Sequence, residues 1–404
     1  IEGKSELRKN GIRPFTVFQD TLKDERRKES KLIMKDGTRV FSQSPIDYTI
    51  ETRQYTLDFA ASYMKNRSKL EHAVGISPNS PEWTSLVVQL KQKGNNIISG
   101  DFSDYGPRIW STLVRASGEI INKWYELNSQ DPNEEEHSKV RTIMIEEIAT
   151  CYHICNDLIY QTFCGIPSGH PLTVILNSMV HSLLIRISWL EMMKSTEFSG
   201  LSNFHKHATL VTYGDDHLLS VSDAIKALFN CLTLSKYLAT YDFKYTDATK
   251  LGNEPYTTLE KASFLKCGFK KHSHRLNQWF APIEEISIHE CAQWVFKSAN
   301  LQAATIENAD QSLRLSYGHG KEYFDNWKAI LNAALKKKKL PVLTLTWEEC
   351  DEMFFEDIEM IIPGEYKKWN VRKESLVPSE LTCREYFMDE DELPSVLIVP
   401  SSFR

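Results

Sequence analysis

The apolar positions along this chain fall into alternating and helix-spaced stretches. Ala208–Thr212 and His217–Val221 are runs suited to strands, and Tyr213-Gly214-Asp215-Asp216 stands between them. A two-residue turn with glycine first suits a type II′ hairpin, which puts Asp215 and Asp216 at its tip. A short apolar run from Asn96 leads into Asp101 and predicts a strand ending on an acid, stopped by Gly106-Pro107. Periodicity near 3.6 predicts helices over 47–65, from Ser80-Pro81 through Leu90, and over 110–121, 140–163, 172–192 and 223–240. Residues 128–137 (NSQDPNEEEH) read as a polar, acidic loop. Residues 164–171 (CGIPSGHP) read as a loop opening the helix that carries Asn177. Phe264–Phe269 reads as a strand, and Asp36-Gly37 as the turn of a hairpin between two basic runs.

Composition changes this picture little. The 404 residues suffice for two or three lobes, and 41% hydrophobic with 25% charged residues is ordinary for a globular chain. A net charge of −6 neither requires nor excludes a nucleic-acid partner, so the clustering of basic residues matters more. They cluster between Lys4 and Arg39, interleaved with acids, and again at Lys270–Arg275 and Lys336–Lys339. The last run reads as a solvated helix end. Beyond it stand the aromatics Trp347, Phe354, Phe355, Tyr366 and Trp369. Eight cysteines without a framework suggest reduced thiols in a cytosolic setting. Cys151-x-His153-x-Cys155 falls in a helix-like run, where i and i+2 point apart, and this argues against zinc. No stretch approaches the ~20 apolar residues of a membrane span. The best one, Ser182–Leu190, is short and interrupted by Arg186. The N-terminus lacks an apolar signal core and a methionine, so the chain reads as a piece of a longer polypeptide.

The chemistry begins at the acidic tip. Adjacent carboxylates repel and lose hydration, and a hard divalent cation, Mg²⁺ or Mn²⁺, offsets both. A lone Gly-Asp-Asp is equally an ordinary solvated turn, so its partners decide. Asp101 at a strand end is one partner. A Gly-Ser loop opening a helix can hold phosphate or ribose through backbone N–H groups, or be a plain interhelical turn. The basic hairpin can face polyanions, or be a salt-bridged surface.

In this order, basic hairpin, strand aspartate, Gly-Ser loop with helix Asn, acidic hairpin, turn lysine and Phe-Leu-Lys, the sequence resembles viral RNA-dependent RNA polymerases of the picorna-like group. The insect-virus type, iflavirus- and dicistrovirus-like, is the nearest in character, and the likeness covers about the first two-thirds of the chain. The resemblance implies an α+β right-hand fold: fingers, a palm with an antiparallel sheet and packed helices, and a helical thumb. It implies fingers over 1–75, with the basic motif at 21–39, and a fingers insertion over 128–164. Palm would cover 76–127 and 165–269, and thumb 270–404. It implies catalytic and metal-binding roles for Asp101, Asp215 and Asp216, holding two Mg²⁺ or Mn²⁺ ions, and a general-acid role for Lys250. Lys23, Arg27, Lys31 and Arg39 would face the triphosphate. Ser168, Gly169, Thr173 and Asn177 would judge the ribose, and Phe264, Leu265 and Lys266 would form a primer-grip strand.

The implied activity is RNA-templated synthesis that replicates a positive-strand viral genome. The implied partners are RNA template, nascent RNA strand, nucleoside triphosphates, a protein primer and other viral replication proteins. The implied place is the host cytoplasm at membrane-associated replication complexes. Two departures stand out. Gly106 occupies a position where many relatives carry a ribose-contacting aspartate. Only about twenty residues precede Lys23, where relatives have a larger finger segment. Two other readings stay open: a reverse transcriptase, against which Pro167-Ser168-Gly169 with Asn177 argues, and a non-catalytic RNA-binding fragment.

Overall fold

The computed structural model describes residues 2–356, apart from 26, 28, 30–32, 34–36, 249, 251 and 296. Lys31, Asp36, Tyr366 and Trp369, named above, lie outside the described residues, as does the side chain of Phe355.

Two strand systems frame the molecule. The first is a sheet of order β2-β1-β5-β6, built from β1 (Val17–Leu22), β2 (Val40–Gln43), β5 (Tyr152–Cys155) and β6 (Leu158–Gln161). β1 pairs antiparallel with β2 and parallel with β5. The second is the antiparallel sheet β3-β8-β7, from β3 (Asn96–Ile98), β7 (Ala208–Tyr213) and β8 (Asp216–Val221). The chain continues from β3 into β4 (Gly100–Ser103), which pairs with β9 (Lys244–Asp247). The segment 96–103 therefore has β8 along its first half and β9 along its second.

The Thr173–Met193 helix runs through the main core, with Leu176, Val180, Ile185 and Trp189 fully buried. By length and composition this helix is apolar enough to cross a membrane, which corrects the expectation that no stretch approaches that size. Its apolar surface serves packing, since most of it is buried inside the protein. A separate core holds the C-terminal helices Leu301–Leu315, Lys321–Lys337 and Trp347–Glu356 around Leu313, Phe324, Trp347 and Phe354. Lys336 to Lys339 are exposed where the second of these helices ends.

Four predicted elements differ. The polar loop expected over 128–137 is confined to 129–133, between the helices Ser111–Asn128 and Glu134–Ala149. The single helix expected over 140–163 is a helix Glu134–Ala149 followed by the hairpin β5–β6. Asn156, at φ 52°, turns the chain between β-favouring residues, and β1 supplies the partner strand. The Cys-x-His-x-Cys run thus enters a strand rather than a helix, and His153 is taken up by Asp20 at 3.1 Å. The helix expected over 223–240 begins only at Cys231, because Asn230 and Thr233 close a reciprocal capping box. Phe264–Phe269 is not a strand. Phe264 and Cys267 exchange both backbone hydrogen bonds, at 2.9 Å each, across a tight turn. Leu265 and Lys266, the two central residues, have φ of 54° and 63°. The segment expected to form a primer-grip strand is therefore a type I′ turn held on left-handed backbone by its closing pair.

Candidate active site

The β7–β8 ladder ends at the pair Tyr213–Asp216, so Gly214 and Asp215 form a two-residue turn. Gly214 has φ 65° and Asp215 does not share it, which is the type II′ pattern that needs glycine first. The Thr173–Met193 helix grips this glycine from both sides. Gly214 N–H donates to Ser178 Oγ at 2.8 Å, and its carbonyl accepts from His181 Nδ1 at 3.0 Å. His181 is buried and neutral, its pKa pushed down to about 4 by desolvation. Its ring meets the buried His217 ring at 4.6 Å, and His217 Nε2 lies 3.0 Å from Tyr245 Oη.

The β3–β8 register pairs Ile98 with Leu219. Past Ile98 the chain pairs with β9, with Asp101 opposite Thr246, while β4 stays beside β8. Asp101, Asp215 and Asp216 act on one another electrostatically. Partial loss of solvent, then the neighbouring carboxylates, raise Asp216 to about 6. Burial raises Asp215 as well, the Asp101 charge adds to it, and Arg39 opposes both. Both carboxylates still reach the surface, so the dehydration comes from surrounding walls rather than from closure. Lys250 sits in the turn after β9 with its Nζ 2.6 Å from Asp101 Oδ2. Among the described residues, no three His, Cys, Asp or Glu side chains converge as a ready-made metal cage. The donor set is nonetheless all carboxylate oxygen, and Mg²⁺ commonly takes only one or two protein carboxylates.

The basic residues are held, not loose. Arg39 donates to Glu25 through Nε at 2.7 Å and through Nη2, and Arg27 stands 3.4 Å from the same carboxylate. Arg27 Nε also donates to the Gly37 carbonyl at 2.9 Å. Lys23 is exposed, and its backbone N–H donates to the Arg39 carbonyl at 2.9 Å. In the loop, Thr173 Oγ1 donates to the carbonyl of His170 at 2.6 Å and lies near those of Pro167 and Ser168, so it closes the loop onto the helix. Ser168 is exposed, and its Oγ accepts from Ser42 N–H at 3.1 Å. Asn177 Oδ1 is buried and has no hydrogen-bond partner among the described residues, while its backbone carbonyl accepts from Tyr105 Oη at 3.1 Å. Gly106 has ordinary backbone, and a Cβ there would meet nothing within 4 Å. The turn of Phe264, Leu265 and Lys266 belongs to a neighbouring cluster, with Phe264 stacked on Trp83 and Lys266 exposed.

A sequence profile described as viral RNA-dependent RNA polymerase matches residues 5–337, further than the two-thirds expected. The chain belongs to the viral RNA-dependent RNA polymerase family. It is 40% identical over 347 residues to the genome polyprotein of Deformed wing virus, covering 85% of this chain and 12% of that polyprotein. It is 31% identical over 338 residues to the replicase polyprotein of Acute bee paralysis virus, covering 81% of this chain and 17% of the relative. The chain thus spans a small part of the curated relatives it matches. Its fold is similar to that of a Sicinivirus 3Dpol RNA dependent RNA polymerase, with TM-score 0.70 and 20% identity over 87% of this chain and 70% of that one. The architecture is that of a right-hand polymerase.

Within that family fold, sequence reasoning passed over Glu25, Ser42, Ser178 and His181. A signal existed for His181: it lies four residues after Asn177, one turn along the same helix face. Ser42 carried none, because its partners Asp20, Ser168 and Gly169 lie across strands or far along the chain.

Proposed function

We propose that this chain carries RNA-templated RNA synthesis for a positive-strand viral genome. The reading rests on one observation above the others: Asp101 on β4, Asp215 in the turn and Asp216 at the start of β8 act on one another electrostatically, with the cation Lys250 on Asp101 and the charge of Arg39 acting on Asp215. Such a group favours a divalent cation and a polyphosphate. Asp101, Asp215 and Asp216 would hold two Mg²⁺ or Mn²⁺ ions, which when bound would offset charge on the attacking and departing oxygens of nucleotidyl transfer. Arg39, with Lys23, Arg27 and Lys31, would meet the triphosphate, and Lys250 would protonate the departing pyrophosphate. Ser168 and Asn177 would read the 2′-hydroxyl, the group that tells RNA from DNA. Lys266, at the tip of its turn, would face the primer strand.

The division into fingers (1–75 and 128–164), palm (76–127 and 165–269) and thumb (270–404) belongs to the same proposal. It is supported by the pairing of β1 with β5 and by the separate C-terminal core. RNA template, nascent strand, nucleoside triphosphates, a protein primer and other viral replication proteins are the proposed partners. Membrane-associated complexes in the host cytoplasm are the proposed place.

The test is primer extension on one RNA template with ribo- and deoxyribonucleotides. Ribonucleotide incorporation dependent on Mg²⁺ or Mn²⁺ is expected from the wild type. In Asp215→Ala, incorporation should be lost while RNA affinity stays within about twofold, since affinity comes from basic phosphate contacts. Preference for deoxyribonucleotides would favour a reverse transcriptase, and no incorporation a non-catalytic RNA-binding fragment.

A further inference from the structure

A row of polar side chains crosses the four-stranded sheet from edge to edge, one from each strand. On β2 it is Ser42, on β1 its direct partner Asp20, on β5 His153, and on β6 its direct partner Tyr160. All converge on the Asp20 carboxylate. Ser42 Oγ donates to Oδ1 at 2.7 Å, His153 Nδ1 lies 3.1 Å from the same oxygen, and Tyr160 Oη donates to Oδ2. A carboxylate can only accept, so His153 carries its proton on Nδ1, and its Nε2 faces Thr162 Oγ1 at 3.3 Å. The Asp20 and His153 side chains at the centre of the row are 4% and 8% exposed, while Ser42 is half-buried and Tyr160 stands at the exposed edge. Burial by itself raises the Asp20 carboxyl, but the hydrogen bonds from Tyr160, Ser42 and His153 outweigh it and hold it below its usual range.

The row ends on the loop read as the ribose sensor. The Ser42 N–H donates to Ser168 Oγ at 3.1 Å, and the Ser42 carbonyl accepts from Gly169 N–H at 3.0 Å. Both backbone groups of one residue thus clamp the loop. The approach is so close that a Cβ on Gly169 would lie 2.5 Å from the Ser42 carbonyl oxygen and 3.1 Å from Gln43 Cα. Glycine is required at 169 by this contact. Arg39 stands three residues before Ser42, at the entry to the same strand. One short edge strand therefore carries the residue that contacts the Ser168 hydroxyl and leads directly from Arg39, whose charge acts on Asp215.

We propose that Asp20 is a specificity-determining positioning residue, which through Ser42 fixes the strand clamping Ser168–Gly169 and so sets how sharply the site distinguishes ribose from deoxyribose. The inference rests on the polymerase reading above. Asp20 touches neither nucleotide nor metal. Its effect passes through the place of β2, because a hydroxyl reads a 2′-OH only when held in hydrogen-bonding geometry.

The test is the ratio of kcat/KM for ATP to that for dATP on one RNA template. The ratio is insensitive to the fraction of enzyme that is active, so partial misfolding does not imitate the effect. In Asp20→Ala the ratio should fall by about fivefold, the loss of one well-placed hydrogen bond. Ser42→Ala keeps both backbone contacts and loses only the hydroxyl on Asp20. Its ratio should fall in the same direction, and the double variant should fall no further than Asp20→Ala. Asp20→Asn, which still accepts from Ser42, should recover most of the wild-type ratio. A wild-type ratio in Asp20→Ala overturns the proposal, as do single effects that multiply in the double variant. Should Asp20→Ala fail to fold, an unchanged ratio in Ser42→Ala overturns it equally. A wild-type chain that extends no primer with either nucleotide overturns the polymerase reading, and this inference with it.

Discussion

Asn177 presents a buried amide oxygen without a partner among the described residues, an arrangement that costs free energy unless a water or a ligand donor completes it. A ribose 2′-hydroxyl is such a donor, and Gly106 supplies no competing side chain nearby. Replacing Asn177 by alanine should therefore cut the ATP-over-dATP preference by about five- to tenfold, mostly by slowing ATP use. Steady-state kinetics on a single RNA template measure it, and an unchanged preference would move the 2′-hydroxyl contact to Ser168 or to backbone groups. The same scale bears on the ion pair of Lys250 with Asp101. A lysine with most of its side chain in water gains little from an exposed ion pair, so it is easily given up to a phosphate.

At the scale of elements, the contact that matters is between the Thr173–Met193 helix and the β7–β8 turn. Ser178 and His181 hold the two backbone groups of Gly214, and Asn177, proposed above to read the ribose, stands next to Ser178. On that proposal the helix ties sugar recognition to the place of the two aspartates. Phenylalanine at 181 fills the space of the ring without a donor, whereas asparagine can put an N–H where Nδ1 stood. His181→Phe should lower kcat about tenfold with KM for nucleotide within about twofold, and His181→Asn should restore most of it. Equal kcat in all three forms would show that the Gly214 carbonyl needs no donor. In the C-terminal unit, Asp351 is held by His272, Arg275 and Tyr317 at 2.7 to 3.1 Å. Burial raises its carboxyl, but these partners outweigh burial and bring it to about 2. A carboxyl lowered on folding stabilises above its unfolded value and loses that contribution as pH falls from about 4 toward 2. The stability gap between wild type and Asp351→Asn, followed by denaturant unfolding from pH 7 to pH 3, should close on acidification. A gap independent of pH would remove Asp351 from the acid response.

Across the whole molecule, the N-terminal helix Glu2–Lys9 is fastened by charge rather than by an apolar face. Arg8 is fully buried, bonded to Glu147 at 2.6 and 2.8 Å, to Glu51, and to Thr16 at 3.3 Å. These partners join segments far apart in the chain, so the triad links the first helix to the Ile46–Lys65 and Glu134–Ala149 helices. Arg8→Ala leaves two buried carboxylates uncompensated and should cost about 3–5 kcal/mol in denaturant unfolding. A loss below about 1 kcal/mol would mean that water or a neighbouring cation takes its place.

Local patterns in the sequence pointed to the elements of the candidate site. The acidic hairpin and the Gly-Ser loop with its helix depend on neighbours within a few residues, as does the strand segment carrying Asp101, which runs on to Ser103 rather than ending at the acid. Turn chemistry and periodicity report such neighbours directly. Tertiary contacts decided the rest. The 152–161 hairpin exists because β1 offers it a parallel partner from more than a hundred residues earlier. Leu265 and Lys266 turn sharply because Phe264 and Cys267 close on each other within a packed cluster. Arg39 is shared with Glu25, Gly214 is gripped by His181, and Ser168 is clamped by Ser42, none of which a local pattern encodes. The residue types for the chemistry were legible in one dimension. Their geometry depends on pairings between distant segments, and those arise only when the strands and helices share one core.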